Sequence, residues 1–267
     1  MPHDLDTPVA VDVTVPNTAR MYDYYLGGAN NFPADREAAE HVLRLAPWIR
    51  ATAIENRAFL RRAVTWLTSE NGIRQIVDIG TGLPASDNVH EVAHRLAPDT
   101  RVAYIDNDPV VLGQSRSLLT GIGNAVPVRA DLRQPQSIIG HPGLTGFIDW
   151  SQPMALLMVA VMHFVTDEED PARIIGHFRD AMPPGSYLVL SHVHHEIHGG
   201  TSRDVSAVYA NASAPLVFRT REQITALFNG FELLSPGVVP LPEWHPGTRA
   251  FPPGDVWGLA GVGSLGV

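Results

Sequence analysis

The chain has 267 residues, 45% of them apolar and 18% charged, enough for one full-sized α/β domain with an appendage and unlike a disordered or fibrous protein. Cysteine is absent and all 19 Lys+Arg positions are arginine, which excludes thiol nucleophiles, disulfides and Cys-ligated metals together with lysine-dependent P-loops, Schiff bases, kinase sites and Tyr/Lys hydride-transfer dyads. The net charge of −9, with no arginine run beyond Arg61-Arg62, argues against nonspecific binding to nucleic acid.

The start, Met1 to Asp6, lacks the basic and apolar regions of a signal peptide, and the longest apolar run, Met154 to Met162, is far too short to span a bilayer. A soluble cytoplasmic protein without membrane association is expected. Residues 1–16 read as a loose arm, although Val9, Val11, Val13 and Val15 alternate as a short edge strand would. A helix is predicted from Thr18 to Leu26, ending at Gly27-Gly28, and a second begins at Pro33. A third spans roughly 48–69, with Phe59, Ala63, Trp66 and Leu67 forming a buried stripe. Residues 1–70 thus read as an N-terminal arm and helical cap, and 71–267 as the main domain.

From Ile73 the rhythm becomes strand, turn, helix, which predicts βαβ units and a parallel sheet. Seven strands are expected, at Gln75–Ile79, Arg101–Ile105, Ala125–Val128, Met154–Val161, Tyr187–Ser191, Phe231–Leu234 and Val256–Val262. The last two are expected to pair antiparallel at one edge. Between them, Val89, Val92, Ala93 and Leu96 share a helix face, Asp108-Pro109 is an N-cap with proline behind it, and Thr220-x-x-Gln223 is a capping box.

The sharpest motif is Asp78-Ile79-Gly80-Thr81-Gly82-Leu83-Pro84, read as a strand ending in a glycine turn that opens a helix. Gly80 and Gly82 allow close approach of backbone to a nucleoside. Asp106, just past the second strand, supplies a carboxylate for both ribose hydroxyls. A dinucleotide site shares this layout, and Gly80-x-Gly82-x-x-Ala85 meets its pattern formally. A pyrophosphate, however, wants bare amides at a helix N-terminus, and Asp78 would place a carboxylate beside it. S-adenosylmethionine carries an ammonium and a sulfonium and no phosphate, so Asp78 at its amino-acid end and Asp106 at its ribose are electrostatically coherent. Asp131, after the third strand, is placed to accept from the adenine amine.

These segments, with Tyr104-Ile105-Asp106-Asn107-Asp108-Pro109, Val159-Ala160-Val161-Met162-His163-Phe164-Val165 and Ala19-Arg20-Met21-Tyr22-Asp23-Tyr24-Tyr25-Leu26-Gly27-Gly28, together resemble an actinobacterial family of S-adenosylmethionine-dependent methyltransferases long catalogued as a domain of unknown function. The resemblance runs from about Val13 to Val262. It implies the α/β, Rossmann-like class I methyltransferase fold, with a seven-stranded sheet of order 3-2-1-4-5-7-6, strand 7 antiparallel, and S-adenosyl-L-methionine, product S-adenosyl-L-homocysteine, at the carboxyl ends of the first strands. Carried over, it implies cofactor contacts from Asp78, Gly80, Gly82, Leu83, Asp106, Asn107, Asp131, Leu132, Ala160 and Tyr22. Pro84 departs from the more general third glycine and stiffens the turn.

The acceptor is expected to be a small molecule methylated at oxygen or nitrogen, since Val161-Met162-His163-Phe164 lacks the Asn/Asp-Pro-Pro-aromatic motif of nucleobase amino methylation. His163, at a strand's carboxyl end, is the candidate general base. His192, His194, His195 and His198 form no HExxH pattern, and no metal is expected. Tyr22 and Tyr25 are expected to face the core while Asp23 faces water, and Trp244 with His245 to pack an edge. The rival readings are an NAD(P)-dependent oxidoreductase on the same layout and a non-catalytic module that binds S-adenosylmethionine.

Overall fold

The computed structural model describes residues 11–194, 199–247 and 251–266. Its elements are α1 (Thr18–Tyr25), α2 (Pro33–Leu45), α3 (Ile49–Ser69), β1 (Gln75–Ile79), α4 (Val89–Leu96), β2 (Arg101–Asp106), α5 (Pro109–Leu118), β3 (Ala125–Arg129), α6 (Pro135–Ile139), β4 (Ala155–Val159), α7 (Pro171–Ala181), β5 (Tyr187–Val193), α8 (Gly199–Tyr209), α9 (Arg221–Ala226), β6 (Glu232–Leu233), β7 (Val239–Pro240) and β8 (Gly258–Ser264). One sheet runs β3-β2-β1-β4-β5-β8-β6. The strands β1 to β5 pair in parallel, and β8 lies antiparallel to both β5 and β6. With the two-residue β7 set aside as a short partner of β8, this is the class I methyltransferase order.

Every residue of β1 and β4 is buried, because helices cover both faces of a parallel sheet. On one face Val77, Ile79, Ile105, Leu156 and Leu190 pack against Ile174 and Phe178 of α7 and Ile224 of α9. On the other, Ile76, Val102, Leu157 and Val189 meet Phe59, Ala63, Val64 and Leu67 of α3 and Val92 and Ala93 of α4. The stripe predicted on α3 is therefore a sheet-facing surface. Leu96, expected on the buried face of α4, is 48% exposed because it sits in the helix's last turn.

A third cluster joins α1, α2 and the start of α3 to Val205 and Tyr209 of α8 and to Trp257. The alternating valines make no strand, for residues 11–16 carry no ladder and Val9 lies outside the described residues. The arm is held instead by Arg20, whose guanidinium donates to Val15 O at 2.9 Å and to Asp35 Oδ2 at 2.8 Å. Asp35 is fully buried and also accepts from Phe32 N and Asn17 N, so its charge has the partners that a buried carboxylate requires. Asp23 is a correction: it is 7% exposed and accepts from Asn30 N and Asn31 Nδ2, closing the turn after α1 while Tyr24 takes the wetter position. Trp244 is fully buried against Phe59 and Trp66 and stacks on His245 at 4.1 Å, as an edge-packing pair.

Candidate functional site

At the carboxyl ends of β1, β2 and β4 lies a cavity of about 390 Å³. Its floor is the β1 turn. Gly80 has φ +69°, and a Cβ there would fall 2.2 Å from Val161 Cγ2, so only glycine allows the turn to press against the segment after β4. Gly82, at φ +66°, has no atom within 4 Å of a Cβ position and so leaves open space in the wall.

The expected helix does not follow directly. Residues 80–88 form a loop, and α4 begins only at Val89. Pro84 biases Leu83 away from helical geometry, Asp87 adopts φ +56°, and Asn88 N donates to Glu91 Oε2 at 2.8 Å to start α4. At the β1 loop the cavity therefore presents the glycine turn itself and not the N-terminus of α4. Leu83 is turned away from the main cavity and lines a void of about 10 Å³ with Val89, Tyr104 and Leu119. Every other residue named for the cofactor, Asp78, Gly80, Gly82, Asp106, Asn107, Asp131, Leu132, Ala160 and Tyr22, lines the main cavity.

Asp78, buried, and Asp106, half-buried, both face that cavity. Asp78 accepts from Thr81 Oγ1 at 3.0 Å, and burial pushes its pKa up to about 6 against the opposing effects of Thr81 and Arg57. Asp106 accepts from Gly82 N and Asp108 N, each at 2.9 Å. Burial raises it likewise to about 6. Asp131 differs: burial pushes it up, but Arg133 donates from Nε at 2.8 Å and from its terminal nitrogen at 2.6 Å and holds it below the usual carboxylate range.

Several contributors carry no motif. Arg57 of α3 lines the cavity, lowers the Asp78 pKa, and braces the β1 loop by donating to Ser86 O and Asp87 O. Asn17 caps α1 through Oδ1, accepting from Ala19 N at 2.9 Å, while its Nδ2 donates to Asp108 Oδ2 at 2.5 Å. The arm is thereby tied to the β2 loop. Ala160 adopts φ +56°, a strained conformation for a residue with a side chain. It is fixed by a chain in which Ala160 N donates to Ser191 Oγ at 2.9 Å and Ser191 Oγ donates to Asn56 Oδ1 at 2.6 Å. Asn56 Nδ2 in turn donates to Tyr22 OH, which donates to Ala53 O. A lone Asn or Ser in sequence gives no sign of such a chain; only the fold brings the three elements together.

His163 is buried at 6% exposure and lines a second cavity of about 50 Å³, adjoining the first at Tyr22, Asn56, Ala160 and Phe164. Burial, with His192 and Arg219 nearby, pushes its pKa well down, so it is neutral. His192 is committed: Nδ1 donates to Val193 O at 2.6 Å and Nε2 accepts from Arg219 at 2.8 Å. Burial lowers it to about 3. His195 and His198 lie outside the described residues, and among the described residues no group of three His, Asp or Glu side chains is placed to hold a metal ion.

Arg219, 3% exposed, also donates to Met162 O, Val165 O and Asp167 Oδ1, pinning the turn that carries His163. Replacing it by Met strands two carbonyls and an imidazole nitrogen, and each buried unpaired group costs about 1–3 kcal/mol. Arg219→Met is therefore expected to lose about 3–5 kcal/mol, read from urea unfolding; a loss below about 1 kcal/mol would show that the staple is dispensable.

Among the described residues no helix is long and apolar enough to cross a membrane. No curated protein matches the chain. A structure from Thermobifida fusca YX, described as a candidate methyltransferase, is 37% identical, with a TM-score of 0.91 over 98% of this chain and 100% of that one. A DUF574 family protein from Streptomyces avermitilis MA-4680 is also 37% identical, with a TM-score of 0.91 over 96% and 99%. An O-methyltransferase family protein from Burkholderia thailandensis, at 15% identity and a TM-score of 0.52 over 82% of this chain and 60% of that one, shares the fold alone. The profile of the S-adenosyl methyltransferase family matches residues 5–266. The chain belongs to that family and is an S-adenosylmethionine-dependent methyltransferase.

Proposed function

We propose that the protein methylates a small molecule at oxygen or nitrogen in the cytoplasm, holding S-adenosylmethionine in the larger cavity. The observation that carries this is the convergence of Asp78, Asp106, Gly80 and Gly82 on one cavity with Arg57 beside Asp78. The donor set fits the ligand: a ribose diol donates to Asp106, an ammonium to Asp78, and a carboxylate is met by Arg57. Asp131 retains acceptor capacity for an adenine amine beyond its bonds to Arg133. When bound, the cofactor supplies an electrophilic methyl group on sulfonium. The protein's part is to align the acceptor and exclude water. Residues 1–70 act as a cap, since α1 brings Asn17, Thr18 and Tyr22 to the cavity mouth.

A dinucleotide is disfavoured by the same residues, because its pyrophosphate would face Asp78 over a β1 loop that does not open directly into a helix. Thermal unfolding with S-adenosylhomocysteine, NAD and NADP tests this. Ligand at about 100 times its Kd adds roughly 2.7 kcal/mol, a midpoint rise of about 5–10 °C for a chain this long. That rise is expected with S-adenosylhomocysteine alone, accompanied by slower proteolysis of residues 11–50; a rise with NAD alone overturns the reading.

A further inference from the structure

The smaller cavity has no established occupant. It opens beside Ala160, where the strained turn after β4 separates it from the cofactor cavity, and Tyr22 and Asn56 form part of both walls. Among the described residues no Asp, Glu or Arg lines it. Its walls are aromatic and aliphatic, with Tyr25, Phe164, Tyr209 and Leu216 among them. A charged acceptor entering it would be desolvated without a counter-charge from the described residues, which disfavours its entry.

One polar group in these walls is unsatisfied. His163 Nδ1 is buried and has no hydrogen-bond partner. Its neighbour His192 cannot substitute, because both of its ring nitrogens are already bonded, to Val193 O and to Arg219. The guanidinium of Arg219 lies behind His163 as well and opposes protonation of the ring. At the cavity wall the Tyr25 and Tyr209 hydroxyls bond each other at 3.1 Å and are satisfied. A buried ring nitrogen with no partner is completed by an incoming hydroxyl when the neutral ring carries its proton on Nε2.

We propose that this cavity is the acceptor subsite and takes the ring edge of a small, uncharged, planar molecule whose hydroxyl, of the phenol or enol class, donates to His163 Nδ1. The inference rests on the methyl-transfer reading above and narrows its acceptor. A volume of about 50 Å³, at roughly 10–15 Å³ per water-sized probe, admits the leading edge of one ring and leaves the rest of the acceptor in the larger cavity. An aliphatic amine, cationic at neutral pH, is unsuited to these walls. On methyl transfer an O–CH₃ bond would form as the S–CH₃ bond breaks, its electron pair staying on sulfur, and the hydroxyl proton would leave through His163 Nδ1 to solvent, a relay in which the ring, held neutral by burial and Arg219, does not stay protonated. His163 is then a catalytic residue, and Arg219 is a positioning residue that fixes the turn and the His192 tautomer.

The test uses binding and needs no turnover. The protein is first titrated with S-adenosylhomocysteine, and the saturated complex is then titrated with p-cresol, toluene, benzoate and benzylammonium by calorimetry. Failure of the first titration removes the cofactor reading and this inference with it. With the first satisfied, p-cresol is expected to bind at least tenfold more tightly than toluene and than either ion. His163→Phe is expected to bring p-cresol within about twofold of toluene. His163→Asn, which returns an oxygen near the Nδ1 position, is expected to restore part of the preference and serves if the phenylalanine variant does not fold. Absence of p-cresol binding, equal binding of benzoate or benzylammonium, or a cresol preference undiminished in His163→Phe, or undiminished in His163→Asn where the phenylalanine variant does not fold, overturns the proposal.

Discussion

Gly80→Ala is expected to damage both the fold and the site, whereas Gly82→Ala damages chiefly the site. At Gly80 the backbone is left-handed and the added methyl would lie 2.2 Å from Val161 Cγ2 and 2.6 Å from Val161 Cβ. A branch carbon fixed to the backbone cannot swing aside, so the turn must move. The left-handed conformation costs about 1–2 kcal/mol and overpacking a further 1–3 kcal/mol, giving a total of roughly 2–5 kcal/mol and a midpoint fall on the order of 5–15 °C. Movement here also displaces Gly80 N and Thr81 N from Ile105 O, to which they donate at 2.8 and 3.2 Å, and so disturbs β2 beside Asp106. Gly82→Ala meets no atom within 4 Å, costs about 1–2 kcal/mol for its left-handed backbone, and places its methyl in open space at the cavity wall. Its affinity for S-adenosylhomocysteine should fall at least tenfold with only a small loss of stability. Equal midpoints for the two variants would contradict the role assigned to Val161.

Acidification below pH 6 is expected to weaken cofactor binding steeply. Asp78 and Asp106 each titrate near 6 because burial disfavours their charged forms. Thr81 and Arg57 favour the Asp78 carboxylate, and the backbone amides of Gly82 and Asp108 favour that of Asp106, while the Asp108 charge opposes it. In both cases the folded value lies above the unfolded one. Their contribution to stability is therefore full below about pH 4 and is lost as pH rises through about 6. The ligand reverses the preference, since an ammonium and two ribose hydroxyls bind the carboxylates. At pH 5 each group is about tenfold protonated, so affinity for S-adenosylhomocysteine should fall roughly tenfold per group, up to about a hundredfold between pH 7.5 and 5. Asp106→Asn should reduce that slope by one group. A Kd constant from pH 5 to 8 would mean that neither carboxylate touches the ligand.

The main architecture is legible from periodicity. The strands β1 to β5 announce themselves as short apolar runs between turns, and Asp108 caps α5 by accepting from Val110 N, as its Asp-Pro pair indicates. The motif residues on β1 and β2 converge because parallel strands present their carboxyl ends on one edge. Less legible is whatever depends on contacts distant in sequence. The helix α8, opening on Gly199-Gly200 with an apolar face of only Val205, Val208 and Tyr209, takes its place by packing on α1 and α2 and is not anticipated. Arg57, Arg219 and Asn56 are ordinary polar residues until the fold surrounds them. Pro84 together with Asp87 delays the helix after β1 and leaves Leu83 lining a small void beside Tyr104, which no spacing in the sequence indicates. His163, placed by the sequence only at a strand's carboxyl end, lines the adjoining cavity.

A crystal structure of the complex with S-adenosylhomocysteine tests the central claim most directly. The account predicts the ribose hydroxyls on Asp106, the adenine toward Asp131 and Leu132, the homocysteine ammonium and carboxylate at Asp78 and Arg57, and the sulfur directed past Ala160 toward the cavity of His163. A ligand seated elsewhere, or one whose sulfur points away from that cavity, would contradict it.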